Sequence, residues 1–237
     1  MEESFLDFSP QLDIPGLVAA ISVRTADCKA ELKREQLIQK LCLPNQLCNP
    51  VQIHSATVRI VQQAGTYSAT DGLITTVENL VLTLQVADCI PLYLVDTHRK
   101  VTGLIHAGWR GAASGIISQA LEKMLQVGCR SEQIKAVIGP CLRSDNFEVG
   151  PEVARLFPKQ FTQPGPEDRF LLDLPGFVIG ELLESGFQAV NIFDSGLNTF
   201  SNPDQFHSFR RAGQAAGRMY ALLGWANNPQ HYDPLYK

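Results

Sequence analysis

The sequence lacks the features that mark membrane proteins and nucleic-acid-binding proteins. No apolar run approaches the ~18 residues that a transmembrane helix needs. Lysine and arginine form no cluster and the formal net charge is -4, so nucleic acid and anionic membrane surfaces are not expected as partners. The N-terminal stretch MEESFLDFSP is acidic and has no apolar signal-peptide core, so we expect a cytoplasmic protein.

Compact metal-binding motifs are also missing. The six cysteines are scattered and form no C-x-x-C pair, and the chain has only five histidines. In a reducing compartment such cysteines are free thiols or single ligands rather than a disulfide framework. A metal site in this protein would therefore have to be assembled from residues that are distant in the sequence.

The chain does have enough apolar residues for a full core, because 45% of its 237 residues are hydrophobic. Strand-like and helix-like segments alternate along it, without a recognisable linker or repeat. This pattern predicts an α/β protein with a single domain over residues 1–237.

The clearest pattern lies between residues 81 and 111. Cys89 falls in a break between two apolar runs, and His106 falls where a third run gives way to a helical pattern. Side chains at such element ends are held by the backbone yet reachable, which is typical of functional residues. The three runs predict buried strands at Val81–Ala87, Ile90–Val95 and Val101–Ile105.

The remaining elements are predicted from hydrophobic periodicity and from capping residues. They are a strand over Val51–Val61 that contains His54, a helix at Lys29–Leu41, a helix over residues 116–125 that ends before Gly128, a helix from Asp173 to Ser185, and a final helix at Ala212–Leu223.

His54, Cys89 and His106 are each the one ligand-type residue beside an otherwise apolar run. Two imidazoles and a thiolate suit zinc, and three protein ligands leave a fourth position for water or substrate. The residues alone leave a second interpretation open. Cys89 would then be a buried small hydrophobe, and the histidines would be hydrogen-bonded core residues.

Several motifs occur in a characteristic order along the chain. They resemble the bacterial family labelled laccase-domain or multicopper polyphenol oxidase, over about residues 14 to 225. The second and third motifs are the most specific. The motifs are Gln52-Ile-His54, Ala87-Asp-Cys-Ile-Pro91, His106-Ala-Gly-Trp-Arg-Gly111, Ile138-Gly-Pro-Cys141, Asn146-Phe-Glu-Val-Gly-Pro-Glu152, and Phe209-Arg-Arg211 followed by Gly217-Arg218.

This resemblance implies a function and a fold. Members of the family are regarded as zinc-dependent purine nucleoside phosphorylases with adenosine deaminase activity, and the equivalents of His54, Cys89 and His106 hold the metal. The expected substrates are phosphate with adenosine, inosine or methylthioadenosine. The implied fold is a layered sandwich of mixed β-sheets covered by helices, similar to the cytotoxic necrotizing factor-like cysteine hydrolases.

Two other enzyme classes stay open. The older family label implies a copper polyphenol oxidase, but laccases need several H-x-H copper motifs and this chain has none. A metal-free hydrolase would use Cys89 as its nucleophile and His106 as its base.

The expected chemistry assigns roles to further residues. A zinc ion held by two histidines and a cysteine lowers the pKa of bound water towards ~7, which suits deamination. Phosphorolysis needs a bound phosphate, and we predict Arg110, Arg210 and Arg211 as its ligands, with solvated surface arginines as the alternative. Asp88 is predicted to orient a ligand imidazole or to take a proton, unless it is a turn residue bonded to its own backbone.

The chain departs from the family pattern at several positions, none of which is an expected metal ligand. Ser55 replaces a usual Gly, Asn198 replaces the Cys of a C-T pair, and Ala212 replaces the Asp of R-R-D-G. The usual Gly- and Asn-containing loop is absent at Thr25–Lys29, where we expect the chain to pass straight into a helix. The departures near the C-terminus are expected to border the pocket and so to affect substrate preference.

Overall fold

The computed structural model describes residues 5–24 and 34–227, and two mixed six-stranded sheets lie at its centre. The first sheet contains, in spatial order, Phe5–Asp7 (β1), Leu17–Ser22 (β2), Met219–Trp225 (β15), Val81–Val86 (β7), Leu47–Pro50 (β3) and Gly65–Tyr67 (β5). The second contains Ile192–Asp194 (β14), Ile134–Ile138 (β10), Ile90–Asp96 (β8), Val101–Ala107 (β9), Gly72–Thr75 (β6) and Val58–Ile60 (β4).

Helices and a small third sheet surround these two sheets. The third sheet contains Glu148–Val149 (β11), Phe170–Leu172 (β13) and Thr162–Pro164 (β12). The helices are Ser9–Leu12 (α1), Arg34–Lys40 (α2), Trp109–Ala113 (α3), Ile116–Gln126 (α4), Pro151–Ala154 (α5), Leu174–Glu184 (α6) and Phe209–Ala212 (α7). Among the described residues, we find no helix whose length and hydrophobicity would let it cross a bilayer.

The two large sheets pack face to face and each is covered by helix on its outer face. Leu84 of β7 and Leu104 of β9 belong to the same buried cluster, which fills the space between the sheets. Behind the second sheet, α4 packs on β9 and α6 packs on α4, in one buried cluster with the opposite side chains of β8 and β9. Behind the first, α2 packs on β2 and β15. The predicted layered α/β sandwich of mixed sheets is therefore confirmed.

The predicted final helix is wrong, because residues 219–225 form β15 in the middle of the first sheet. Met219 and Leu223 face the core between the sheets, while Leu222 packs on the other side with α2. A strand that is buried on both faces has a continuous apolar run, and periodicity alone does not separate such a run from a buried helix.

Two other predictions are changed in extent. Only Val58–Ile60 of the predicted Val51–Val61 strand is a strand, so His54 lies in the loop before it. The described part of the predicted Lys29–Leu41 helix is α2, and residues 25–33 lie outside the described residues. The helix capped by Asp173 is confirmed, since its carboxylate accepts a hydrogen bond from the Gly176 N–H.

Candidate metal centre

The β8–β9 hairpin brings Cys89 and His106 together. Pro91 pairs with His106 and Ile90 pairs with Ala107, so Cys89, one residue before β8, lies beside the end of β9. The predicted positions of both residues at strand ends are confirmed. The antiparallel register is what turns two separate strand ends into one site.

His54 reaches the same site from a loop. Its φ is 61°, a left-handed conformation that is uncommon for a residue with a β-carbon. The Asp71 carboxylate holds this loop, accepting hydrogen bonds from the backbone N–H groups of Ile53, His54 and Ser55 at 3.2, 2.9 and 2.7 Å. The Ser55 hydroxyl donates a further bond at 2.7 Å. These bonds offset a backbone strain of about 1–3 kcal/mol.

Asp71 also orients His106. Gly72 of β6 pairs with Ile105 of β9, so Asp71 lies beside His106, and their side chains are joined by an Nδ1 to Oδ1 distance of 2.9 Å. A carboxylate at neutral pH only accepts hydrogen bonds, so Nδ1 is the donor. The other ring nitrogen, Nε2, is therefore left as the ligand atom of His106.

The three residues expected to bind metal converge. One ligand atom from each of His54, Cys89 and His106 lies within 4.8 Å of the other two, and the two imidazole centroids are 4.9 Å apart. His106 is buried, Cys89 is half-buried and His54 is exposed. The group is therefore reachable from solvent on the side of His54.

The neighbours of Cys89 acidify its thiol. Burial raises the pKa of Cys89, but hydrogen bonds from His106 and His54 outweigh burial and bring the pKa down to about 6. Burial lowers the pKa of His106, but hydrogen bonds with Asp71 and Cys89 outweigh it and raise the pKa to about 9. Burial also opposes ionisation of Asp71, yet the bonds from His106 and Ser55 hold its pKa well below the usual range. The two histidines therefore favour the thiolate of Cys89, the form that binds metals.

This donor set fits a metal ion. Two imidazole nitrogens and a thiolate are the borderline and soft ligands that suit zinc, and the same set accepts copper. Asp71 supplies the outer hydrogen bond that metal-binding histidines almost always make. His54, Cys89 and His106 could therefore hold one metal ion and leave a position for a further ligand, and we call them the metal-binding group.

Gly108 is the residue that allows the ligands to come this close. A Cβ atom added there would lie 2.9 Å from Cys89 Sγ and 3.1 Å from His54 Cδ2, both tighter than normal contact. We expect Gly108→Ala to push these two ligands apart and to weaken metal binding about tenfold, as disturbed ligand geometry does. Zinc titration against a competing chelator measures the change.

Gly103→Ala is the matched control for this crowding. It lies on β9, the strand that ends one residue before Gly108, and its Cβ would meet only apolar core atoms, the nearest being Ile74 Cγ1 at 3.2 Å. This variant should change thermal stability without changing zinc affinity. Equal zinc affinity in the Gly108 and Gly103 variants would contradict the steric role of Gly108.

A cavity of about 860 Å³ adjoins the metal-binding group, within the size range of small-molecule sites. Its wall combines apolar side chains with the metal ligands, one carboxylate and three arginines. The lining residues are Pro50, Val51, Gln52, His54, Gln85, Ala87, Asp88, Cys89, His106, Gly108, Trp109, Arg110, Leu142, Phe147, Leu174, Phe209, Arg210 and Arg218.

The predicted phosphate ligands differ in what they already contact. The Arg110 guanidinium lies over the Trp109 ring, 4.2 Å from its centroid, and makes no hydrogen bond or ion pair with any described residue. Arg210 also lines the cavity, but it donates to the Glu148 carbonyl at 2.8 Å. The guanidinium of Arg110 therefore has more N–H donors available for an anion than that of Arg210.

The prediction for Arg211 is corrected by the structure. Its guanidinium donates to the backbone carbonyls of Thr199 and Phe200, both at 2.8 Å, and to that of Phe206. The side chain is absent from the cavity lining. Arg211 thus stabilises the loop before α7 with three of its N–H donors and does not line the cavity.

Asp88 lines the cavity but is hydrogen-bonded to neither imidazole. Its Oδ1 accepts from the Thr199 hydroxyl and its Oδ2 from the Arg210 N–H, both at 2.6 Å. The carboxylate that orients the His106 imidazole is that of Asp71. The prediction that Asp88 has this role is therefore corrected. The alternative, a turn residue bonded to its own backbone, does not describe these long-range bonds either.

The model of the family described as multi-copper polyphenol oxidoreductase laccase matches residues 17–226. The chain belongs to this laccase family. The resemblance inferred from the motifs is thereby confirmed.

Curated relatives of this laccase-family chain carry the names of nucleoside enzymes. A protein of Rickettsia prowazekii named purine nucleoside phosphorylase is 36% identical over 68% of this chain and 69% of its own length. A Deinococcus radiodurans protein of the same name is 34% identical over 73% and 68%. The adenosine deaminase RL5 of an unknown prokaryotic organism is 29% identical over 74% of each chain. With such relatives, this laccase-family chain is an enzyme.

Solved structures share its fold. YlmD from Geobacillus stearothermophilus superposes with a TM-score of 0.86 over 95% of this chain and 97% of its own. The hypothetical protein YfiH of Bacillus licheniformis gives 0.85 over 94% and 97%. Both are 24% identical to this chain, so they establish the architecture of this family member.

Sequence reasoning missed two residues of this site. Asp71 lies in Thr70-Asp71-Gly72, which reads as a polar turn before a strand and carries no sign of a buried carboxylate. Arg218 lines the cavity although it donates locally to the Ala216 and Gly217 carbonyls. Its place in the motif that follows Phe209-Arg-Arg211 was the available signal for Arg218.

Proposed function

We propose that the chain is a zinc-dependent purine nucleoside enzyme. It cleaves adenosine, inosine and methylthioadenosine with phosphate, giving the free base and the sugar 1-phosphate, and it also deaminates adenosine. The observation that carries this proposal is the convergence of His54, Cys89 and His106 beside a cavity. Arg110 lines this cavity, and its guanidinium makes no hydrogen bond with a described residue. The names of the curated relatives support the same substrate class.

His54, Cys89 and His106 are the proposed zinc ligands. When bound, zinc supplies Lewis acidity and a water of lowered pKa, which suits addition at C6 of adenine with loss of ammonia. Asp71 keeps His106 in the tautomer that presents Nε2. Cys89 and His106 are thereby proposed to act through the metal, and proton transfer by Asp88 is an alternative role that variants of Asp88 test.

The proposed position of phosphate is beside Arg110. Phosphorolysis forms a bond from a phosphate oxygen to C1′ as the bond from C1′ to N9 breaks, and the purine leaves with the electron pair and takes a proton. A guanidinium can bind a phosphate through two parallel N–H donors. Arg110 has those donors free, and stacking on Trp109 limits the freedom of its side chain.

We expect Arg110→Ala to reduce phosphorolysis of inosine about 100-fold, the usual loss when one anion-binding donor is removed. Deamination of adenosine should change little, because that reaction holds no phosphate. Product analysis with and without phosphate separates the two rates. Arg59→Ala, an exposed arginine outside the cavity, is the control for loss of one positive charge. Equal losses in both reactions would argue against a phosphate-specific role.

The apolar wall is proposed to hold the base. Trp109 is half-buried and faces the cavity, as do Phe147 and Phe209. Flat aromatic side chains stack on purines regardless of their exocyclic substituent. Such a wall suits an enzyme that accepts both adenosine and inosine.

A second function is favoured by one specific observation, the lowered pKa of Cys89 beside the raised pKa of His106. A thiolate next to an imidazolium is the arrangement of a Cys-His hydrolase, in which the thiolate attacks a carbonyl or amide carbon. Metal analysis distinguishes this function from the first, because the thiolate of a hydrolase works without an ion.

Copper is the alternative metal, since the family description names multi-copper oxidoreductases. The described residues contain one group of three metal-ligand side chains, which accounts for a single ion. Electronic absorption after copper loading, together with polyphenol oxidation, tests this alternative directly. Oxidase turnover by the copper-loaded protein without nucleoside turnover by the zinc form would favour it.

The central experiment combines metal analysis of the purified protein with a nucleoside turnover screen in the presence and absence of phosphate. We expect about one zinc per chain, as three protein ligands at a single site imply. We also expect phosphate-dependent release of hypoxanthine from inosine and phosphate-independent release of ammonia from adenosine. A metal-containing protein that leaves every nucleoside unchanged would overturn the proposal.

A further inference from the structure

The Asp88 carboxylate joins two parts of the cavity that are distant in the sequence. It belongs to the turn between β7 and β8, next to the proposed metal ligand Cys89. Its two oxygens accept hydrogen bonds from the hydroxyl of Thr199 and from the backbone N–H of Arg210, both at 2.6 Å. These contacts cross 111 and 122 positions of the chain.

The backbone around Asp88 is held as firmly as the side chain. Its φ is 88°, a conformation that costs energy for a residue other than glycine and that aspartate and asparagine tolerate best. Its carbonyl accepts a hydrogen bond from the Leu142 N–H at 2.9 Å. Strain of this kind persists only where the surroundings determine it, and it is concentrated at functional sites.

The segment that Asp88 holds is one wall of the cavity. Phe209 and Arg210 face the cavity at the start of α7. The Arg210 guanidinium continues the wall, donating to the Glu148 carbonyl and lying 5.7 Å from the centroid of the Phe147 ring. Thr199 is fully buried, so its hydroxyl has exchanged water for the Asp88 carboxylate.

We propose that Asp88 is a positioning residue that fixes the wall carrying Phe209 and Arg210 against the metal-binding turn, and so sets the affinity for the nucleoside. This role depends on the proposed function, because that function identifies the substrate as a nucleoside. Both carboxylate oxygens are used in holding the wall. Asp88 therefore acts through the wall and not as the group that carries a proton in the reaction.

Two substitutions of Asp88 separate these roles. In Asp88→Asn, the amide oxygen still accepts from the Arg210 N–H, and the NH₂ group donates to the Thr199 hydroxyl, which also accepts. In Asp88→Gly, both bonds are lost while the positive φ is relieved. A positioning role predicts a large difference between the two variants. A proton-carrying role predicts that both lose kcat alike.

We expect Asp88→Gly to raise the KM for adenosine about tenfold, with a smaller change in kcat and with zinc retained, as the loss of two hydrogen bonds to a charged group implies. Asp88→Asn should recover most of that KM. Loss of kcat in Asp88→Asn as large as in Asp88→Gly would overturn the proposal, as would an unchanged KM or loss of zinc in Asp88→Gly.

Thr199 provides a second, independent pair. Thr199→Ser keeps the hydroxyl and Thr199→Val replaces it at nearly the same volume, so only the latter should raise KM. Hydrogen exchange of the amides in residues 199–211 should quicken in Asp88→Gly and Thr199→Val but not in Asp88→Asn and Thr199→Ser. This readout needs no activity, so it tests the wall even if the nucleoside function fails. Unchanged exchange in Asp88→Gly would refute the positioning role on its own.

Discussion

Cys89→Ser is expected to strip the metal from the enzyme and to reduce adenosine turnover with it. A serine hydroxyl stays protonated near pH 7 and is a harder ligand than the thiolate, so it replaces Cys89 poorly. The loss should exceed the ~10–100-fold that disturbing an outer hydrogen bond costs at metal sites. Metal content, measured beside kcat/KM for adenosine, tests this result.

The same experiment separates the zinc enzyme from a Cys-His hydrolase. The zinc enzyme is inactive after chelation and recovers when zinc is returned, whereas a hydrolase keeps its activity without metal and is trapped by thiol-directed reagents. Chelation should also expose the Cys89 thiolate, whose pKa of about 6 keeps it reactive at neutral pH. Full activity of the wild type after rigorous metal removal would transfer the assignment to the hydrolase.

Cys42→Ser is the control for thiol loss. Cys42 is half-buried and lies outside the cavity lining and the metal-binding group. Its replacement should leave both zinc content and turnover near those of the wild type. A parallel fall in the Cys42 variant would mean that the effect at Cys89 reflects general loss of the fold.

The positions of Cys89 and His106 were predictable because local patterns define them. Each lies at the end of an apolar run, and such runs mark strand ends reliably when they are long. Their meeting depends on the register of the β8–β9 hairpin, which the short polar turn between the two runs already favours. The hairpin is the part of the site that a single sequence specifies most directly.

The positions of His54 and Asp71 were harder to predict from the sequence, because their arrangement depends on contacts between distant segments. The Val51–Val61 segment is rich in β-branched residues, yet residues 51–57 leave the strand conformation to meet the Asp71 carboxylate. Tertiary hydrogen bonds override β-propensity there. Nothing in a polar Thr-Asp-Gly turn reveals that its carboxylate will be fully buried.

The roles of the arginine side chains are equally hard to predict from the sequence. Arg210 and Arg211 are adjacent in the sequence, but one lines the cavity and the other braces a loop from within. Composition and spacing treat the two alike, since neither reveals which carbonyls each guanidinium will meet. Arg110, whose donors stay free in the fold, and Arg210, which lines the cavity, keep the phosphate-binding role predicted for them as a proposal.

Asp71→Asn is expected to weaken zinc binding about 10–100-fold, the usual cost of losing the outer hydrogen bond of a metal-binding histidine. An amide oxygen can replace one carboxylate oxygen, but its NH₂ group would face either the His106 Nδ1–H and His54 N–H or the donors of Ser55. In either orientation, one set of N–H and O–H donors faces the NH₂ group instead of an acceptor and loses its hydrogen bonds. Either orientation loosens the metal-binding group, and zinc titration against a competing chelator measures the loss.

The variant should also be less stable at neutral pH. The pKa of Asp71 is held well below its usual range, so the carboxylate contributes stability above the ordinary aspartate pKa and loses it as pH falls through the folded pKa. Denaturant unfolding of wild type and Asp71→Asn should therefore differ at pH 7 and converge towards strong acid. An equal difference at both pH values would contradict the ionised carboxylate.

Asp96→Asn is the matched control, because it separates the metal effect from the cost of altering a buried carboxylate. Asp96 is also fully buried and accepts the N–H groups of His98 and Arg99, but it lies at the opposite end of β8 from Cys89. Both N–H groups bond to Oδ1, which an amide oxygen can replace, so this variant should remove a buried charge while keeping zinc affinity. If Asp71→Asn and Asp96→Asn bind zinc equally well, then Asp71 stabilises the fold without orienting His106 for the metal.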